Sequence, residues 1–154
     1  MDGVISDFDK HFVDYFKKNH KEDLTDDQMW ELIHSYPTFF RDLPLMPFAR
    51  GLFEALKPYN PIILTACPKA NYQTVAIQKR EWIREHFGDL TVLPVTGGKN
   101  KSLFMHAPGD VLIDDFYSNI KAWRKLGGKG ILFQNNEQAL TELQEYVDQL
   151  KLAA

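Results

Sequence analysis

The chain has 154 residues, enough for one domain that buries a sizeable core. Its 44% hydrophobic content and net charge of -3, with 18 basic and 21 acidic residues mixed along the chain, exclude the basic excess of a protein that binds polymeric nucleic acid. A single cysteine, Cys67, excludes an intramolecular disulfide; with no apolar run near the roughly 18 residues of a membrane span and no leader pattern, neither membrane nor secretion is expected, and the cytosol is the default compartment.

The first residues, from Met1 to Asp9, place Asp2, Asp7 and Asp9 around a glycine, Gly3. Phe8, Phe12, Tyr15 and Phe16 then recur at helical spacing, so the chain enters an amphipathic helix reaching about His20. Thr25-Asp26-Asp27-Gln28 is an N-cap with a glutamine three residues on, and it opens a second helix through Met29, Trp30, Leu32 and Ile33 that stops before Pro37. Residues 38 to 47 carry too much proline for a helix, and a helical period resumes from Ala49 to Leu56.

Pro61-Ile62-Ile63-Leu64-Thr65 reads as a strand buried on both faces, followed by a long helix from Asn71 to Phe87 that Gly88 stops. Thr91 to Val95 is a further strand, and residues 96 to 101 form a loop with two lysines. Val111-Leu112-Ile113 is bounded by Pro108-Gly109 and ends on two adjacent carboxylates, Asp114 and Asp115. A helix from Asn119 to Leu126, a strand from Gly130 to Phe133 and a terminal helix from Glu137 to Leu152 complete the chain. Strands alternating with helices and no hairpin signal predict an α/β three-layer fold around a parallel sheet. The expected organisation is a core of residues 1 to 8 and 51 to 154, with 9 to 50 as a helical insertion over one end of the sheet.

Open α/β sheets place their ligand sites at the carboxyl ends of strands. Those ends present Asp2 and Asp7, Thr65, the lysines of the 96 to 101 loop, and Asp114 with Asp115. Converging carboxylates suit a hard divalent cation such as Mg2+, which binds through one or two of them while taking a phosphate oxygen. A hydroxyl and a lysine at the same edge supply donors and positive charge for phosphate. The five histidines show no ligand spacing, Cys67 lacks a nearby histidine motif, and Gly97-Gly98-Lys99 is not a P-loop.

These residues resemble a known family. Met1-Asp2-Gly3-Val4-Ile5-Ser6-Asp7-Phe8 is similar to the first motif of haloacid-dehalogenase-superfamily phosphatases of the C-type 5'-nucleotidase or 5'(3')-deoxyribonucleotidase family, whose pattern runs Asp-Met-Asp-Gly-Val-x-x-Asp-Phe. Leu64-Thr65-Ala66-Cys67-Pro68 resembles the second motif, Lys79-Arg80-Glu81-Trp82-Ile83 with His86-Phe87-Gly88 the third, and Leu112-Ile113-Asp114-Asp115 the fourth. Phe39-Phe40-Arg41-Asp42-Leu43-Pro44 and residues 123 to 133 also fit. The resemblance implies a Mg2+-dependent phosphomonoesterase acting on a small phosphomonoester, such as a 5'-nucleotide, through an aspartyl-phosphate.

In that scheme Asp2 is the general acid and base, its carbonyl also binding the metal; Asp114 is a metal ligand and Asp115 a second acidic group there. Thr65 bonds the phosphoryl oxygens, and Lys79 neutralises them, with Lys101 the competing lysine. The insertion is the cap, and Phe8, Phe39 and Phe40 fall where aromatics stack on the nucleobase, although helical spacing also suits them to a core. A homodimer is kept open as the assembly.

The family's nucleophile is the aspartate two residues before Asp2, a position this sequence does not include, together with the apolar strand leading into it. Three expectations follow: an active protein whose sequence continues upstream, a non-catalytic metal- or nucleotide-binding pseudoenzyme, or a shifted register in which Asp7 attacks and Asp9 is the acid and base. A sheet with a gap between the Leu64 and Leu112 strands fits the first; residues 3 to 7 filling that gap fit the third.

Overall fold

Four short strands, rich in β-branched and apolar residues, carry the architecture in a computed structural model that describes residues 1–153. Strand β1 (Ile63–Cys67) pairs in parallel with β2 (Val92–Thr96), and β3 (Val111–Asp114) pairs in parallel with β4 (Lys129–Leu132). Parallel pairs need crossovers, which are supplied by α4 (Tyr72–Phe87) and α5 (Tyr117–Lys125). Helices α1 (Phe8–Phe16), α2 (Asp26–His34) and α3 (Ala49–Leu56) precede the first strand, and α6 (Asn136–Ala153) follows the last. The fold is mixed α/β of the Rossmann-like kind.

The expected single sheet is divided into two pairs of strands. Among the described residues no strand lies between β1 and β3, although Leu64 of β1 packs against the buried cluster of Leu112, Ile120 and Trp123. Residues 3 to 7 do not fill that interval. They form a turn closed by Gly3 N–H to the Ser6 carbonyl at 2.8 Å and by the Met1 carbonyl accepting from Ile5 at 2.9 Å, with isolated bridges Asp2 to Ser6 and Ser6 to Leu45. The shifted register is thereby corrected: Asp7 caps α1, accepting from Lys10 N–H at 3.0 Å, and the exposed Asp9 pairs with His20 and Lys21. An aspartate just before a helix does what its short side chain does best.

Local signals explain most boundaries. The Thr25–Gln28 capping box forms in full, and Gly88, at φ +86, ends α4. Helix α1 stops earlier than expected, at Phe16, because Lys17 turns left-handed at φ 56. The 96 to 101 loop winds instead into a 3-10 turn at Gly98–Phe104. Pro94 sits within β2, whose only partner is β1, and the free edge tolerates the missing N–H. The main core joins α1 and the 39 to 52 segment to the buried face of α4, with Phe12 and Trp82 fully enclosed.

Phe12 touches Phe8, Phe16 and Phe39 within ring-centroid distances of 6.3 Å. Removing its ring leaves a void lined by other rings that cannot collapse freely. Phe12→Ala is expected to cost about 3–5 kcal/mol, read as a lowered urea midpoint with an unchanged slope.

Candidate active site

The site grows from the carboxyl end of β1. Thr65 is 1% exposed, and the next turns bring α4 back so that Lys79, also 1% exposed, reaches the same point. Its Nζ donates to Asp2 Oδ2 at 2.5 Å, to the Ala66 carbonyl at 2.7 Å and to Thr65 Oγ1 at 3.1 Å. All three ammonium protons are thus engaged, and the Phe40 ring lies 4.9 Å away from the charge. Asp2 is held from its other oxygen by Ser6 Oγ at 2.9 Å.

A second knot forms at the end of β3. Lys101, from the 3-10 turn, donates to Asp114 Oδ2 at 2.5 Å, and Oδ1 accepts from Phe116 N–H at 2.9 Å and Asn119 Nδ2 at 3.1 Å. Both Lys101 and Asp114 are buried. The two knots meet through Gly3 and Asp115. A Cβ built on Gly3 would stand 2.1 Å from Asp115 Oδ2, so glycine is required there both by that close approach and by its φ of +74.

Burial works to raise the pKa of Asp2, but the charge and hydrogen bond of Lys79 outweigh it and hold the carboxyl below its ordinary value. Asp114 is likewise lowered: burial opposes, and the charge and hydrogen bond of Lys101 with the Phe116 N–H prevail. Asp115 moves the other way. Burial and the neighbouring Asp114 charge both raise it, and no lysine compensates them in full. The Cys67 thiol is pushed up, chiefly by burial, away from thiolate chemistry.

The structure therefore brings Asp2, Thr65 and Lys79 together, gives Lys101 to Asp114, and seats Asp115 against Gly3. The two lysines do not compete for one position, since each has its own carboxylate. Of the three aromatics, Phe40 borders Lys79, whereas Phe39 is 1% exposed among Phe8, Phe12, Phe16 and His11. Ser6 and Asn119 were not singled out from the sequence. Ser6 gave no signal in an apolar loop; Asn119, five residues past Asp114 in the first turn of α5, was legible as a polar group facing the strand end.

An open cleft of about 530 Å3 lies between Asp27, Trp30, Glu31 and His34 of α2 and the loop Pro68-Lys69-Ala70 that follows β1. A smaller recess shares Trp30, His34 and Pro68 with it and runs inward to Phe40 and Gln78. None of the site carboxylates lines either space.

Among the described residues no three His, Cys, Asp or Glu side chains cluster closely enough to hold a metal unaided. The donor set nonetheless fits a hard cation that keeps waters and binds one or two carboxylates. Asp114 uses three of the roughly four acceptor sites of a carboxylate, leaving capacity on Oδ2.

Parallel strands whose ends gather a carboxylate pair, a hydroxyl and a buried lysine agree with the haloacid-dehalogenase-superfamily resemblance of the motifs, and the matching family model makes the chain a nucleotidase-like member of that superfamily. Within that class, the model of the family described as "5' nucleotidase, deoxy (Pyrimidine), cytosolic type C protein" matches residues 1–151, and the chain belongs to this family. It is 27% identical over 134 residues to a Bordetella bronchiseptica protein named "Putative 5'(3')-deoxyribonucleotidase", covering 75% of this chain and 70% of the relative. It is 27% identical over 149 residues to the 5'(3')-deoxyribonucleotidase of Clostridium acetobutylicum, covering 86% of this chain and 78% of that one.

Two outcomes follow from the charges. Lys101→Met strips the buried Asp114 of its counter-ion and is expected to lower stability by about 3 kcal/mol at neutral pH, measured by urea unfolding. Asp115, raised in the folded state, binds its proton more tightly there than in the unfolded chain, so stability falls as pH rises from the unfolded value of about 3.9 through the folded one. Without added metal, Asp115→Asn is expected to melt above the parent at neutral pH, with the difference fading below about pH 4.

Proposed function

We propose that the protein is a Mg2+-dependent phosphomonoester hydrolase acting on a 5'-(deoxy)nucleotide. The observation that carries this reading is the buried Lys79 ammonium, which joins the Asp2 carboxylate to the Thr65 hydroxyl beside the Asp114–Lys101 pair. A phosphoryl group entering there would meet the Thr65 hydroxyl as a donor and the Lys79 charge as a neutralising partner. Asp2, held ionised beside Lys79, would act as general acid and base once it has taken up a proton, giving it to the leaving alkoxide and then taking one from water. Asp114, Asp115 and the Asp2 carbonyl are the groups that would hold Mg2+. When bound, the ion supplies charge stabilisation to the phosphoryl oxygens.

The organic part of the substrate would lie in the cleft between α2 and the 68 to 70 loop, which makes residues 9 to 50 a cap. Trp30 and His34 form its open side, Phe40 its inner end, and Phe8 and Phe39 back that end. The names of the relatives, which specify deoxyribonucleotides, support that choice of substrate. A buried free thiol suits a reducing compartment such as the cytoplasm. The homodimer belongs to the same proposal and is read by sedimentation.

In the aspartyl-phosphate scheme the attack needs a carboxylate two positions before Asp2, which the 154 residues do not contain. Hydrolysis is therefore proposed for a chain carrying that carboxylate. A second reading, a metal- or nucleotide-binding protein without turnover, is favoured for these residues alone by the full engagement of the Lys79 protons within the protein.

The test compares this chain with a form extended upstream by an apolar segment ending in that aspartate, on p-nitrophenyl phosphate and a panel of deoxynucleoside 5'-monophosphates with and without Mg2+. The extended form is expected to turn over only with Mg2+, and Asp2→Asn to lower its kcat by about 10²–10⁴-fold. An inert extended form that Asp114→Asn leaves equally inert, with no Mg2+-dependent rise in Tm in either chain, ends the enzymatic reading.

A further inference from the structure

Gln78 stands one residue before Lys79 on the buried face of α4 and is 8% exposed. Both ends of its amide are spent on the backbone of the segment that leaves α2. Phe40 N–H donates to Gln78 Oε1 at 3.1 Å, and Gln78 Nε2 donates to the Pro37 carbonyl at 2.8 Å. A buried amide satisfied at both ends by main chain is poorly placed to bind a ligand. Four residues further along α4, Trp82 Nε1 donates to the Leu43 carbonyl at 2.7 Å. Residues 37 to 43 have no strand or helix of their own beyond local turns, so beside the buried Phe39, Phe40 and Leu43 and the Arg41–Glu81 ion pair these two side chains anchor the segment's backbone.

The placement has a consequence at the site. Phe40, fixed through its N–H, brings its ring to 4.9 Å from the Lys79 ammonium and forms the inner end of the recess that opens into the cleft. We infer that Gln78 is the positioning residue that couples the seat of the helical segment to the phosphate-site lysine, holding Phe40 as the wall against which the organic part of the substrate comes to rest. The clamp stands on geometry alone, whereas the identity of what rests against the wall depends on the nucleotidase reading. The position is legible only in three dimensions, because its partners lie 38 and 41 residues away.

Two exchanges test it. Gln78→Met keeps the volume and loses both hydrogen bonds. Gln78→Glu keeps an acceptor for Phe40 N–H but, when ionised, has no donor for the Pro37 carbonyl. In Gln78→Met the Phe40 amide is expected to exchange hydrogen at least about tenfold faster, the fold-change of losing one buried hydrogen bond, while the Trp82 indole N–H stays protected. In Gln78→Glu, whose carboxylate still accepts from Phe40 N–H, that amide is expected to keep its protection relative to Gln78→Met.

Calorimetry with Mg2+ supplies the second readout: the ratio of dUMP affinity to inorganic phosphate affinity is expected to fall about tenfold in Gln78→Met, again the loss of one buried hydrogen bond. A Phe40 amide that stays protected in Gln78→Met, or that loses protection equally in Gln78→Glu, overturns the clamp. An unchanged affinity ratio overturns its link to the site. Should the parent protein bind inorganic phosphate but no dUMP while the exchange pattern holds, the nucleotide reading fails and the clamp survives.

Discussion

Two lysine–carboxylate pairs, one buried throughout and the other with a buried lysine and a part-buried carboxylate, are the constraint on which the structure depends. Burying any one of these charges alone would cost several kcal/mol, and each is tolerable only because its partner is brought to it with hydrogen bonds on the remaining atoms. Lys79 reaches Asp2 because α4 folds back over β1, and Lys101 reaches Asp114 because the turn after β2 winds tightly beneath α5. The loop from Met1 to Ser6 must close on itself to place Asp2, and Gly3 is the residue that lets it do so against Asp115.

The same arrangement sets apart the roles of three acidic groups that look alike along the chain. Asp2 and Asp114 each face a lysine and are held ionised, while Asp115 faces Asp114 and is not fully compensated. An uncompensated carboxylate beside a paired one is a place where an added cation lowers the energy of the protein. Around this centre the helical segment is attached to α4 by three hydrogen bonds at Gln78 and Trp82 and by the Arg41–Glu81 ion pair. Its aromatic rings pack on one another, and a cleft opens between α2 and the 68 to 70 loop that follows β1.

The elements were legible where local chemistry decides them. The 49 to 56 helix, the 71 to 87 helix with its glycine stop and the Thr25 capping box all form at the expected places. The strands were found but their ends moved by one or two residues, because pairing partners set those ends. The carboxylates, Thr65 and both lysines were identifiable as charged or hydroxyl groups at strand ends. Which lysine serves which carboxylate was not, since Lys79 and Lys101 are equivalent until the chain is folded. Ser6 and Gln78 went unnoticed because neutral polar side chains look like ordinary loop and helix residues until the group they satisfy is seen.

By itself the sequence determined the order of strands and helices, the family, and the residue types available for phosphate chemistry, because periodicity, caps and motif spacing are properties of neighbouring residues. Only the tertiary structure decided that the strands form two separate pairs, that Asp7 is a helix cap and no part of the centre, and that Lys79 and Lys101 are both committed. Those outcomes turn on contacts between residues far apart in the chain, where the cost of burying a charge selects the partner.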